Sequence, residues 1–428
     1  CSLKTNMTGT QNVAIGAFSL FTNDAHNNVA VGFCSLESNS TGTLNVAMGS
    51  FSLEDNSSGS CNVALGYRAL CENTTASLNT AVGLCSLRLN TIGCQNTAIG
   101  AFSLCNNTTG NFNVAVGEKS MLGAVTGEFN TAVGQGSLRC NTSGTFNIAL
   151  GSQALCANTA GSNNVVVGSC AVRGANIGNT TAIGFCALSS LNDTGYNNTA
   201  VGYLSQKLTT TGACNTSVGR EALQANTTGA GNTATGYQSL IANTTAAGNT
   251  AYGFKALCAN TIGADNTAIG IHAGCQVTAG GNNTLLGKLA GTSSSPFTVT
   301  DATTNHRVVV GNNDVSNAYI KVAWTVTSDA RDKTNFNTVP HGLDFVNKLE
   351  PVSFQFKTSR EDDTPHGPMH YGFKAQDILE LEGDNNVIID DEQPDHLKYK
   401  GEHLVPVLVN AIQELNTKVK ELEAKLNG

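Results

Sequence analysis

Small and apolar residues recur along this chain in a five-residue phrase, Asn-x-Ala-x-Gly. It reads NVAIG at 12–16, NVAVG at 28–32, NVAMG at 45–49, NTAIG at 96–100, NTAVG at 130–134 and NTAIG at 266–270, and it ends in NTLLG at 283–287. The closing glycines run from 16, 32, 49, 66, 83 and 100 on to 287, giving 17 units with a period of 17 residues, interrupted by spacings of 16 and 18. Within a unit the pattern is N-[VT]-A-[VI]-G-x-x-[SA]-L-x-x-N-T-[TS]-G-x-x, as in NTAIGAFSLCNNTTGNF at 96–112. The β-branched run predicts a short strand, x-x-[SA]-L a second, and N-T-T-G a turn in which Asn and Gly accept left-handed backbone. Two short strands per unit predict one coil of a parallel β-solenoid. At about 4.8 Å per coil, the 17 units stack into a rod roughly 80 Å long. Ala and Gly alternate with Val or Ile in the first strand, so neither of its faces is polar, as expected of strands covered on both sides. One face fills the coil, and a closed trimer would cover the other. The chain opens on CSLKTNMTG, the second half of a unit, which predicts further sequence before residue 1.

The periodicity stops at a Ser/Pro breaker, GTSSSPFTV (291–299). A neck follows with strand-like runs HRVVVG (306–311) and AYIKVAWTV (318–326), the latter carrying the single tryptophan, Trp324. At the far end, residues 403–427 predict a helix with apolar residues at Val405, Leu408, Ile412, Leu415, Val419, Leu422 and Leu426. Their spacing alternates three and four, the seam of a coiled coil. Such a helix needs partner helices, and a trimer agrees with the solenoid argument. The expected organisation is a repeat shaft over 1–290, a neck over 291–327 and a small α+β domain over 328–428.

Charge separates the same parts. Lys and Arg balance Asp and Glu at 12 against 12 over residues 1–327, whereas 328–428 holds 11 against 19, so the whole net charge of -8 lies in the C-terminal part. Neither part has the basic stripe that nucleic-acid binding requires. No apolar run approaches the roughly 18 residues of a membrane-spanning helix.

All 14 cysteines fall between Cys1 and Cys275. Their spacing fits no zinc pattern, and they read as buried small hydrophobes, with stacked thiols or a few bridges left open where they recur in phase, as at Cys170 with Cys186 and Cys258 with Cys275. The sequon N-x-[ST] recurs at Asn39, Asn73, Asn107, Asn141, Asn226 and Asn243. A column repeating every unit is better explained by turns and side-chain ladders than by glycosylation. The Thr column (Thr80, Thr97, Thr131, Thr199, Thr216, Thr233, Thr250, Thr267, Thr284) suggests an ice-binding face. Its place is taken by Val13, Val29, Val46 and Val63 in the first units, which predicts a half-buried site instead. His366 and His370 in PHGPMH lack a carboxylate or thiolate at ligand spacing and predict a loop rather than a metal site. No metal or cofactor is expected.

The most abrupt change is WTVTSDARDKTN (324–335), which concentrates Ser328, Asp329, Arg331, Asp332 and Lys333 where the composition turns over. A serine hydroxyl becomes a nucleophile when a base takes its proton, and a desolvated lysine can be that base. Because Ser328 follows the Thr327 carbonyl, its oxygen can attack that carbonyl directly and give an ester that water hydrolyses. By spacing alone S-x-x-x-x-K describes a solvated charged turn as well as it describes a dyad.

The repeats resemble the head repeats of trimeric bacterial adhesins and, more closely, the long N-T-A-x-G arrays of phage tail-fibre proteins, with a 17-residue period against the adhesins' shorter coils. TSDARDKTN, LEPVSFQF, YGFKAQDI, LKY and LVPVLVNAIQEL, in this order, resemble the C-terminal intramolecular chaperone of endosialidases and other phage tail spikes. That resemblance implies a self-cleaving domain in which Ser328 is the nucleophile, Lys333 the base and Thr327–Ser328 the bond cut once the trimer has folded. Asp332 stands as an alternative base or as the residue that orients Lys333.

The function expected on this basis is a homotrimeric viral tail fibre or spike for host attachment, folded by a disposable C-terminal helper and acting as a peptidase only on itself. Its expected partners are its own copies, a host-surface glycan and other tail proteins met through preceding sequence. Its expected place is the virion, after assembly in the host cytoplasm. A glycan-degrading spike with its catalytic domain upstream is the rival. The repeats offer it no paired carboxylates, since their acids are scattered and none recurs in a column. A trimeric bacterial surface adhesin is the third reading.

Overall fold

The computed structural model describes residues 1–428 except 124, 175, 193, 302, 316–317, 320, 322–327, 358–361, 385 and 428. The chain forms two units, Cys1–Asn312 and Asn313–Gly428. The first is a parallel β-solenoid. Strands β1 (Val13–Ile15) through β17 (Thr284–Leu286), one three-residue strand per repeat unit, stack with β18 (Val308–Val310) into one 18-stranded sheet. Register is kept at every step. Val13 lies beside Val29 and Ala14 beside Ala30, and the pattern continues to Thr267 beside Thr284. The run HRVVVG thus adds a rung to the shaft, β18 pairing with β17. Most of AYIKVAWTV, Trp324 included, lies outside the described residues.

In the strands after β1 the central residue, Ala in most units, is buried inside the coil, whereas Ala14 in the first is half-buried; most of the Val, Thr or Ile neighbours are half-buried on the outside. The Thr column follows this rule, with Thr216 and Thr233 more exposed than the rest. The predicted second strand does not form. Its consecutive Ser19 and Leu20 are both at 0% exposure, and a strand sends only every second side chain inward. The backbone alternates through left-handed residues instead, at Phe18 (φ 61°) and Leu20 (φ 46°). It still ladders to the next coil, Leu20 N–H to the Ser35 carbonyl at 3.0 Å and Cys34 N–H to the Ala17 carbonyl at 3.0 Å. The serine hydroxyl turns back to the carbonyl of the closing glycine, as from Ser19 Oγ to Gly16 at 3.0 Å. Those glycines are forced by contact. At Gly117 (φ 126°) an added Cβ would lie 2.7 Å from the backbone carbon of Gly134 in the next coil.

The core holds a leucine column beside two columns of fully buried asparagine. In one, Asn113 donates from Nδ2 to the Gly127 carbonyl at 2.9 Å, and its Oδ1 accepts from the Asn130 amide at 3.0 Å and from Asn130 Nδ2 at 3.1 Å. In the other, Asn73 Nδ2 donates to Asn56 Oδ1 at 2.8 Å and to the Ala76 carbonyl at 3.0 Å. The six sequon asparagines belong to this second column at 0% exposure, so the folded shaft leaves a glycosyl transferase nothing to reach. The cysteines depart from expectation. All are free thiols, and only Cys34, Cys71 and Cys105 are buried. Their outward positions put most of them at the coil surface, and of the two in-phase pairs Cys258 with Cys275 stacks with the Cys258 Sγ donating to the Cys275 carbonyl at 3.6 Å.

The second unit is a small α+β domain. An antiparallel hairpin, β19 (Val352–Lys357) and β20 (Pro365–Gly372), accompanies α1 (Leu343–Val346), α2 (Ala375–Glu382), the short pair β21 (Ile389–Asp390) and β22 (Lys398–Tyr399), and the long helix α3 (Leu404–Leu426). Phe345, Ile378, Ile388, Ile389, Leu404 and Val407 form its core. The buried Glu382 carboxylate closes the turn after α2 by accepting the amides of Val387, Ile388 and Ile389 at 2.8, 2.8 and 3.0 Å.

Removing one ladder amide tests the asparagine column. Asn113→Ala strands the Asn130 donors and the Gly127 carbonyl, at about 1–3 kcal/mol for each buried group left unpaired. Hydrogen exchange is expected to speed up in the coils on either side of residue 113 and to stay unchanged near Asn266, because each coil contacts only its neighbours. Unchanged protection around residue 130 would show that the ladder carries no stability.

Candidate autoproteolytic site

Residues 328–333 fold into a tight turn. In an extended chain, five residues would separate Ser328 from Lys333 by about 16 Å. Here a single 3-10 turn over Ala330–Asp332 brings the ends together: Asp329 caps it by accepting the Arg331 amide at 2.8 Å, and the Lys333 amide closes it on the Ala330 carbonyl at 3.2 Å. Lys333 Nζ then donates to Ser328 Oγ at 2.7 Å. The predicted nucleophile and base are thus in direct contact.

Asp332, expected as an alternative base or as the orienting partner, forms no hydrogen bond or ion pair with Lys333 among the described residues. The shaping groups are Asp329 and Arg331, to which the sequence reading gave no role. The Arg331 guanidinium clasps the Asp329 carboxylate, Nη2 to Oδ2 at 2.6 Å and Nε to Oδ1 at 3.1 Å. This clasp leaves Lys333 for the hydroxyl. The Asp-x-Arg spacing, with an aspartate bonding the backbone two residues on, was the signal that could have found it. The Arg331 side chain, with help from its backbone amide, holds the Asp329 carboxyl below its ordinary range. Thr327 lies outside the described residues.

Ser328 and Lys333 are both exposed in the single chain. A lysine acts as a base where water is kept away, so the enclosure that catalysis needs has to come from outside this turn. The helix α3 is tied to the segment that follows. Asn410 Nδ2 donates to the His341 carbonyl at 2.8 Å, and Glu414 accepts the Leu343 amide at 2.8 Å. One face of α3, Leu404, Val407 and Ala411, is buried against its own domain. The adjoining stripe, Val405, Leu408, Ile412, Leu415, Val419, Leu422 and Leu426, is 38–89% exposed.

His366 and His370 lie in strand β20, not in a loop. His370 pairs across the hairpin with Phe354 and stacks on its ring at 5.6 Å, because alternation sends both to one face of the sheet. Among the described residues no three His, Cys, Asp or Glu side chains are grouped to hold a metal ion, and no helix is long and apolar enough to cross a membrane.

Residues 328–388 match the protein family described as "Chaperone of endosialidase", a peptidase family. The match begins at Ser328 and takes in the dyad, the hairpin and α2. No curated protein matched the chain. A β-solenoid is therefore followed in this chain by a domain similar to the intramolecular chaperones of endosialidases.

The clasp gives a pH prediction. Because the folded Asp329 carboxyl is held below its unfolded value near 3.9, its stabilisation of the turn is fully present above that value and is lost as pH falls through the lowered folded one. Carbon-13 carboxyl titration is expected to give an Asp329 midpoint below about 3.9, and Arg331→Ala to return it upward. An Asp329 midpoint that Arg331→Ala does not move would break the assignment.

Proposed function

We propose that this chain is a homotrimeric phage tail fibre or spike, with the solenoid as its shaft or receptor-binding element and residues 328–428 as a folding helper that cuts itself off at Thr327–Ser328. The observation that carries the reading is the 2.7 Å contact of Lys333 Nζ with Ser328 Oγ at the first residue of the chaperone-like segment. The exposed heptad stripe of α3 supports the trimer, as do the outward apolar strand residues of the shaft. Its work is host attachment through a surface glycan, from the virion.

In the reaction, a neutral Lys333 amine accepts the Ser328 hydroxyl proton as Oγ bonds to the Thr327 carbonyl carbon. The Thr327–Ser328 amide C–N bond breaks, the proton passes to the freed Ser328 amine, and an ester remains. Water hydrolyses the ester to a Thr327 carboxylate and the Ser328 hydroxyl. Packing of three chains supplies the enclosure that one chain lacks, which ties cutting to correct assembly. Identical coils favour slipped pairings between chains, and a domain that trimerises first aligns them. Loss of the helper then makes unfolding irreversible in practice.

Mass spectrometry tests the cut. Wild type is expected to give one fragment ending at Thr327 and one starting at Ser328, whereas Ser328→Ala and Lys333→Ala leave all 428 residues joined. An intact bond in well-folded wild type after long incubation would reduce the domain to a permanent cap. The trimer has its own test. Ile412→Asp combined with Leu415→Asp, which leaves the dyad untouched, is expected to give uncut chains that light scattering finds below trimer mass. A cut monomer would sever cutting from assembly.

A further inference from the structure

One outward column of the shaft carries a single gap. The second residue after each closing glycine points outward with left-handed backbone, and from Phe18 to Leu289 every unit places a side chain there except one, which has Gly136. Backbone conformation does not require the glycine, since Lys119 (φ 55°) and Gln153 (φ 55°), its neighbours above and below, adopt the angle that Gly136 has at 64°. Crowding does not require it either. A Cβ on Gly136 would meet only Gln153 Cγ, at 4.0 Å, unlike the closing glycines. What the missing side chain leaves is space, a cavity of about 360 Å³.

Lys119 and Gln153 stand at its two ends, Gln135 beside it, and Arg139 and Arg173 reach in from a neighbouring column. The backbone ladder fixes these rungs, with the Gly136 amide on the Glu118 carbonyl and the Gln153 amide on the Gln135 carbonyl, both at 2.9 Å. Lys119 is paired with Glu118 at 2.8 Å, both half in solvent, a bond a ligand can replace at little cost. Among the described residues nothing pairs with the Arg139 or Arg173 guanidinium, and the sequence has no Asp or Glu from 129 to 192.

We infer that the Gly136 cavity binds an anionic saccharide, its carboxylate or phosphate held by Arg139 and Arg173 and its hydroxyls by Gln135 and Gln153. Guanidinium forks match the planar oxygens of a carboxylate and the paired oxygens of a phosphate. The volume falls in the range of small-molecule sites. The inference gives the attachment role proposed above a ligand chemistry and rests on that reading only for where the sugar comes from.

Calorimetry on the full chain with digalacturonic acid, glucose 1-phosphate and neutral maltose tests it. One of the acidic sugars is expected to bind, more weakly as salt rises, and maltose not to bind; which acid binds identifies the anionic group. Gly136→Gln fills the notch with the side chain that Gln153 already carries at that angle, and is expected to weaken binding at least about tenfold with circular dichroism and thermal unfolding unchanged. Arg139→Ala with Arg173→Ala is expected to do the same, at about tenfold or more for each charge-assisted bond lost. Absence of binding by both acids, equal binding of maltose, or binding that survives both variants overturns the inference. Host-cell adsorption that persists in Gly136→Gln beside such a result leaves the attachment role standing without this pocket.

Discussion

A coil of 17 residues is too small to bury its own corners. Its turns aim backbone carbonyls and amides at an interior filled by buried side chains, and the neighbouring coils answer them. The asparagine columns are that answer. Most of the Asn amides close a turn of one unit and bond the side chain or backbone of a neighbouring one, so the polar interior is best satisfied when the units lie in register; Asn107, Asn158 and Asn260, followed in the column by Val125, Ile177 and Val277, keep an unpaired Oδ1. Leucine and alanine fill the remaining volume. The closing glycines then follow from distance, because successive backbones approach there more closely than a Cβ allows. Strand pairing and the ladder through the left-handed corners both hang on this one-unit translation.

Much of this was legible beforehand, because a translation in space is a period in sequence. The unit length, the parallel stacking, the half-buried Thr and Val position and the structural role of the sequon asparagines all follow from which residue recurs in which column. The second strand was misread because Ser and Leu are both buried side by side, and pattern alone does not say whether the chain turns or extends to achieve it. The cysteines were misread because most sit in outward columns, where a small apolar side chain is tolerated rather than required. Pattern also kept silent on Gly136, since an empty place means something only once its neighbours are seen to be filled.

In the C-terminal unit the legible part was the heptad spacing of α3; the pairing of Ser328 with Lys333 followed from the resemblance of the surrounding motifs and not from spacing. The long helix serves two masters. Leu404, Val407 and Ala411 pack on their own domain, while the adjoining heptad stripe is left exposed. Asn410 and Glu414 hold the segment at 341–343 on that same helix, so whatever seats the stripe also steadies the stretch of chain that follows the dyad. Asp329 and Arg331 escaped the sequence reading because a charged turn looks solvated until its internal clasp is known, whereas Asp332 looked useful only because it stands next to Lys333 in the chain.

Register between coils also bears on how such a shaft changes over generations. Since nearly every unit presents the same edge above and below, gaining or losing a whole unit by recombination between any two of them leaves both new neighbours correctly matched. The length of the shaft can therefore drift in steps of one rung without any contact having to be reinvented, and individual outward positions are free to vary on a scaffold that does not notice.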